Sequence, residues 1–194
     1  EVIGLTRRLG ANGVRFNIET KVVPDRPDRT VPAEEMAERL AQVLAAEAVE
    51  DRAIVQSLDW RTLKWFQANR PGIALAFLTS AHGGADTVSP RHGRPSIWLA
   101  GHDPAAFGGS IPRTVQAAGG RIWSPDHRGL AETEIAEAKR LGLVVIPWTV
   151  NDPAIMERLI GWGVDGIITD YPDRLRAVMA RRGMALPPPV ASGG

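Results

Sequence analysis

Ile73-Ala74-Leu75-Ala76-Phe77-Leu78-Thr79 is an almost unbroken apolar run that ends on a polar residue. A strand wetted on one side alternates apolar and polar residues; one covered on both faces, as in a parallel sheet, stays apolar. The run is too short for a buried helix and reads as such a strand. Working outward, Trp60 to Asn69 reads as the helix before it and Ala53 to Leu58 as the preceding strand. Further back, Val14 to Thr20 is another short apolar run with a polar end. The helix after it spans Pro32 to Val49, where Ala, Leu and Glu recur at helical spacing and Pro32 suits a first turn.

Downstream, Ser80 to Gly109 breaks the rhythm with Gly, Pro and His around one short apolar run, Ile97 to Ala100. A loop of that length inside a compact domain points to a functional lid or binding loop. Alternation then resumes. Helices are expected at Pro112 to Ala118, Leu130 to Leu141, Pro153 to Ile160 and Asp173 to Arg182. Strands are expected at Arg121 to Ser124, Leu143 to Thr149 and Gly166 to Thr169. The last residues, 185–194, read as a disordered tail.

This count gives six strands alternating with helices, an α/β pattern with a parallel sheet. Polar residues gather just after the strand ends: Glu19, Ser57, Thr79, Ser124, Thr149 and Asp170. Chemistry sits on that face of a (β/α)₈ TIM-type barrel. An open doubly wound sheet would carry a Gly-rich phosphate loop after its first strand, and none is present. The expectation is therefore a barrel, with residues 1–184 forming its last six βα units. A barrel of this type has about eight strands, so two are expected upstream of Glu1.

Composition narrows the chemistry. The chain has 194 residues, a formal net charge of +1 and no cysteine. Disulfides, zinc–thiolate centres and thiol nucleophiles are excluded, which fits cytoplasm and periplasm equally. No cluster of Lys and Arg has the footprint of a nucleic-acid binder. No apolar run is long enough to cross a membrane. The first residue is Glu1 and not Met, so the sequence does not address a leader peptide.

Three stretches carry a resemblance. Phe16-Asn17-Ile18-Glu19-Thr20-Lys21, Val145-Ile146-Pro147-Trp148-Thr149-Val150-Asn151 and Gly163-Val164-Asp165-Gly166-Ile167-Ile168-Thr169-Asp170-Tyr171-Pro172 occur in this order. Together they resemble the C-terminal part of the glycerophosphodiester phosphodiesterase family, across the chain to about Met184. The resemblance implies hydrolysis of a glycerophosphodiester to an alcohol and glycerol 3-phosphate, with calcium or magnesium as cofactor. It also implies that Glu19 is a metal ligand and that Lys21 faces the phosphate. The spacing is consistent with this, since residues i and i+2 of a strand share a face. Hard cations prefer carboxylate oxygen, and an ammonium suits a phosphate as a point charge.

The family's His-Arg-Gly motif, its Glu-x-Asp pair and a further histidine are absent from the corresponding places. A single carboxylate holds calcium or magnesium poorly, so activity is expected to need residues upstream of those given. Trp148 is expected to wall a pocket with its apolar ring and indole donor, and Ser57 and Trp123 to line it with Gln56 and Ser124. Asn151 reads equally as a helix N-cap or a ligand, and Asp170 as an anchor for the loop after the last strand. His127-Arg128-Gly129 spells the missing motif in the wrong place and reads as coincidence. His82, His92 and His102 with Asp103 are too widely spaced for a metal loop. The rival readings are a barrel lyase with Lys21 as Schiff-base nucleophile, and a non-catalytic headgroup-binding protein.

Overall fold

The computed structural model describes residues 1–83 and 86–188. Five strands form one sheet: β1 (Phe16–Glu19), β2 (Ala53–Ser57), β3 (Ala74–Thr79), β4 (Ile122–Pro125) and β5 (Val144–Val145). They lie in sequence order and every pairing is parallel. Sequential parallel order demands a crossover behind each strand, and helices supply it. These are α2 (Ala33–Ala46), α3 (Trp60–Asn69), α4 (Ile111–Ala117) and α5 (Glu132–Arg140); α1 (Val2–Arg8) precedes the sheet, and α6 (Pro153–Gly161) and α7 (Pro172–Arg181) follow its last strand. The arrangement is the α/β barrel type expected from the alternation.

Helix starts follow local chemistry. Asp59 caps α3 by accepting from the Arg61 N–H, and Ser110 caps α4 in the same way through Arg113. Asp152 caps α6 with Pro153 behind it, a proline placed where its missing N–H is harmless. In α2, Ala33, Ala37, Ala41 and Leu44 are buried, one stripe of the helix at its natural spacing. The unforeseen α1 buries none of its residues and is tied down by Arg7, which donates to the Glu47 side chain and carbonyl.

The strands present two faces. Phe16, Val55, Phe77, Trp123 and Val145 point outward into one core with Leu44, Leu63, Phe66, Val115, Ile135, Met156 and Leu159 of the helices. The register then puts Asn17, Glu19, Gln56, Ala76, Leu78, Ile122 and Ser124 on the inner face.

Two expectations need correction. The sixth strand, Gly166 to Thr169, does not form. Its segment lies beside the continuation of β5, with Asp165 N–H donating to Val145 O and Ile168 N–H to Pro147 O, each at 2.9 Å. Three residues on one side thus oppose two on the other, which interrupts a regular ladder. The Asp165 carboxylate also takes the Val145 N–H at 2.7 Å, leaving that donor no backbone partner. The expected strand Leu143 to Thr149 shortens to Val144–Val145 for a related reason: Pro147 has no N–H to give.

The Ser80 to Gly109 segment is not structureless. Thr87, Val88, Ser96 and Leu99 are buried, and short 3₁₀ turns occupy Ile97–Leu99 and Pro104–Phe107. A tight turn at Arg91–Arg94 uses positive φ at His92 and Gly93. Residues 84 and 85 lie outside the described residues. So does 189–194 of the expected tail, while 185–188 are irregular.

Candidate active site at the strand C-terminal ends

Glu19 is the last residue of β1, on the edge strand and the inner face. Its Oε2 accepts from Lys21 Nζ at 2.7 Å, with 24% of the Glu19 side chain and 78% of the Lys21 side chain exposed. One strand end therefore presents a half-screened carboxylate and an open ammonium together. Below them on the same face, Asn17 Nδ2 donates to Gln56 Oε1 at 2.9 Å, so the β1–β2 wall is polar through this level.

Trp148 stands toward the far end of the sheet, past β4, half-buried, its indole N–H donating to Ser124 O at 2.8 Å. The Ser124 hydroxyl donates to Ile146 O, fixing the same strand from the inner side. Asn151 is not the cap of α6, which is Asp152. It donates to Asp170 and accepts from Thr169 Oγ1 and Asp170 N–H, stitching two of the quoted stretches together.

Ser57 and Trp123 are placed elsewhere. Ser57 is fully buried, its hydroxyl donating to Thr20 O at 2.9 Å. Trp123 is 2% exposed and donates its indole N–H to Thr79 Oγ1. Both side chains are on the helix side of the sheet and present no free surface to the inner face.

His127-Arg128-Gly129 follows β4 with a defined role for its arginine. Asp126, 5% exposed, receives the Arg128 guanidinium on both carboxylate oxygens, the Arg128 N–H at 3.0 Å and the Ser80 hydroxyl at 3.3 Å. Burial pushes this carboxyl up, but the Arg128 hydrogen bonds and charge outweigh it and hold Asp126 below the usual carboxylate range. The same construction follows β2: Asp59, with no exposure, is gripped by Arg61 through side chain and N–H. Ser57-Leu58-Asp59-Trp60-Arg61-Thr62-Leu63 and Ser124-Pro125-Asp126-His127-Arg128-Gly129-Leu130 share Ser-x-Asp-x-Arg-x-Leu. That repeat is legible in the sequence, and the reading that stopped at the three letters His-Arg-Gly missed it.

His82 and His92 are exposed, and His102 packs 6.1 Å from the Trp60 ring. Among the described residues, no group of three or more His, Asp or Glu side chains could hold a metal. The donor type at Glu19 fits a hard cation; the donor number there is one.

The fold, with this polar rim at its strand C-terminal ends, defines a (β/α) barrel of the TIM type. The chain belongs to the glycerophosphoryl diester phosphodiesterase family, whose sequence profile matches residues 6–174. A glycerophosphodiester phosphodiesterase of Bacillus altitudinis is 31% identical over 128 residues, which cover 65% of this chain and 42% of that protein. One from Bacillus subtilis is 41% identical over 54 residues, 28% of this chain and 18% of its own. A crystal structure described as a putative glycerophosphoryl diester phosphodiesterase from Silicibacter pomeroyi superposes with a TM-score of 0.73 at 25% identity. That match covers 96% of this chain and 57% of that one. A phosphodiesterase of Oleispira antarctica, solved with the product sn-glycerol-3-phosphate, shares the fold at TM-score 0.66 and 17% identity, covering 92% and 60%. The chain spans less than two-thirds of each of these relatives.

Proposed function

We propose that this chain is part of a phosphoric diester hydrolase that cleaves glycerophosphodiesters to an alcohol and glycerol 3-phosphate. The observation carrying the reading is the Glu19–Lys21 pair at the C-terminal end of a parallel strand, on the inner face. Family membership supports it, and so does the product held by the Oleispira relative. Lys21 is the phosphate contact: its ammonium is exposed and needs only to exchange the Glu19 carboxylate for a phosphoryl oxygen. Glu19 is one ligand of a divalent cation, calcium or magnesium, and the remaining ligands come from residues other than those described. When bound, such a cation neutralises charge growing on the phosphoryl oxygens. Trp148 offers its ring to the glycerol or alcohol portion. Ser57 and Trp123 support the site from behind the sheet, by holding Thr20 and Thr79. Residues 1–184 act as one domain.

The lyase alternative has less support. An amine used for Schiff-base chemistry is set in a desolvated or cationic pocket, whereas Lys21 is mostly exposed and paired with a carboxylate. The test is release of glycerol 3-phosphate from glycerophosphocholine by the complete gene product, with and without a chelator. Chelator-sensitive release is expected. A protein that binds glycerophosphodiesters without turning them over refutes the assignment, and trapping of a carbonyl substrate by borohydride establishes the lyase instead.

A further inference from the structure

Helix α3 buries Trp60, Leu63 and Phe66 on one side and carries a second stripe on another. Arg61, Lys64, Trp65 and Ala68 recur at three- and four-residue intervals, so they share a helix face. Trp65 is half-buried and the other three are exposed. This face is one wall of a groove of about 780 Å³, within the ~300–1,000 Å³ typical of small-ligand sites. The other walls are the start of α2, with Glu34, and the 3₁₀ segment that holds Ile97 and Ala100. The groove lies in the helix layer, outside the sheet, whereas Glu19 faces inward.

The lining is cationic over the first turn of α3 and apolar beyond it. Arg61 places Nε and Nη2 on the carboxylate of fully buried Asp59, which fixes the guanidinium. Its Nη1 makes no hydrogen bond among the described residues. Lys64 Nζ donates to Ala100 O at 3.2 Å, a neutral partner that leaves the ammonium charge uncompensated. Against these two cations the lining sets a single carboxylate, Glu34. Further along, Ile97 is 52% exposed although Leu99, two residues on, is fully buried. An aliphatic side chain left in water beside a half-buried indole is surface that a hydrocarbon chain would cover. The helix rises ~10 Å from Arg61 to Ala68, enough for a chain of medium length.

We propose that this groove binds an aliphatic chain ending in a phosphate, its head on Arg61 Nη1 and Lys64 and its chain along Trp65, Ala68 and Ile97. A phosphate dianion suits a fixed guanidinium edge with an ammonium one turn away. The chain supplies much of the affinity, since each methylene taken out of water is worth ~4-fold. A bare anion would leave Ile97 and Trp65 wet, and a neutral chain would leave both cations unused. The inference goes beyond the hydrolase reading and does not depend on it, because the groove shares no residue with the Glu19–Lys21 site.

The test is calorimetric titration of the complete gene product with octyl phosphate, inorganic phosphate and the uncharged octyl maltoside. Octyl phosphate is expected to bind ~100-fold or more tightly than inorganic phosphate, and more tightly than octyl maltoside. Lys64→Glu should weaken octyl phosphate ~10-fold or more, and Glu34→Gln should tighten it. Ala68→Trp, which fills the groove without changing its charge, should abolish binding; Ile97→Asp serves if that variant does not fold. Binding by Lys64→Glu and Ala68→Trp equal to wild type places the ligand elsewhere and overturns the proposal. Inorganic phosphate or octyl maltoside binding as tightly as octyl phosphate overturns it as well, and so does a wild-type protein that takes up no octyl phosphate. In that last case, a wild-type dimer that Ala68→Trp makes monomeric assigns the groove to a second copy of the chain.

Discussion

Trp123 and Trp148 are a paired test of which face of the sheet does the chemistry. Trp123 sits in β4 with 2% exposure, and its indole N–H is spent on Thr79 Oγ1 at 2.9 Å. Trp123→Phe removes that donor and part of the ring from the buried core. Full Trp-to-Ala truncation in a core costs about 3–5 kcal/mol; the smaller change to Phe is worth about 1–2 kcal/mol of that. The lost hydrogen bond to a buried hydroxyl adds about 1 kcal/mol. The total, about 2–3 kcal/mol, lowers the unfolding temperature by roughly 4–12 °C at the ~2–4 °C per kcal/mol of a domain this size. KM for a glycerophosphodiester is expected to stay put, because the ring has no inner-face surface. Trp148→Phe should do the reverse: raise KM, with a smaller loss of stability, since that ring is only half-buried. Thermal unfolding and steady-state kinetics on both variants decide it. A KM effect in Trp123→Phe with an unchanged unfolding temperature would refute the assignment of faces.

Gly120 should not tolerate a side chain. A Cβ there would lie 2.6 Å from Val115 Cγ1, 2.9 Å from Phe77 Cδ2 and 2.9 Å from Val115 O. Both residues are core, so Gly120→Ala is expected to cost about 1–3 kcal/mol in chemical denaturation; Gly72→Ala, with nothing within 4 Å, should be near neutral. His127 predicts a pH dependence. Burial first, with the Arg128 and Arg158 charges, lowers its pKa from 6.5 against the opposing pull of Asp126. The folded protein then binds fewer protons than the unfolded chain, so the His127 contribution is full above pH 6.5 and is lost as pH falls. His127→Gln should flatten the fall in unfolding temperature between neutral and mildly acidic pH; an unchanged slope counts against it. Asp126, also lowered, acts with the same sign further down, below its ordinary 3.8.

Much of the fold was legible because helix and strand signals here are local. The α3 boundaries, Trp60 to Asn69, follow from a capping Asp59 and the apolar spacing, and the parallel sheet follows from Ile73 to Thr79. The lost sixth strand was not legible: an Asp165 side chain competes with the backbone for Val145 N–H, a tertiary event no periodicity records. Glu19 and Lys21 were readable as neighbours on one strand face. Ser57 and Trp123 went to the other side of the sheet because a strand end fixes which loop a residue meets, whereas parity fixes which face it takes. Alternation from Glu19 would not have settled that, since each strand sets its own register against its neighbour.

The most direct measurement is turnover of glycerophosphocholine by the complete gene product carrying Glu19→Ala, across a titration of magnesium and calcium. Loss of most metal-dependent release of glycerol 3-phosphate is expected, with the fold intact by thermal unfolding. Turnover and metal dependence equal to wild type would contradict it.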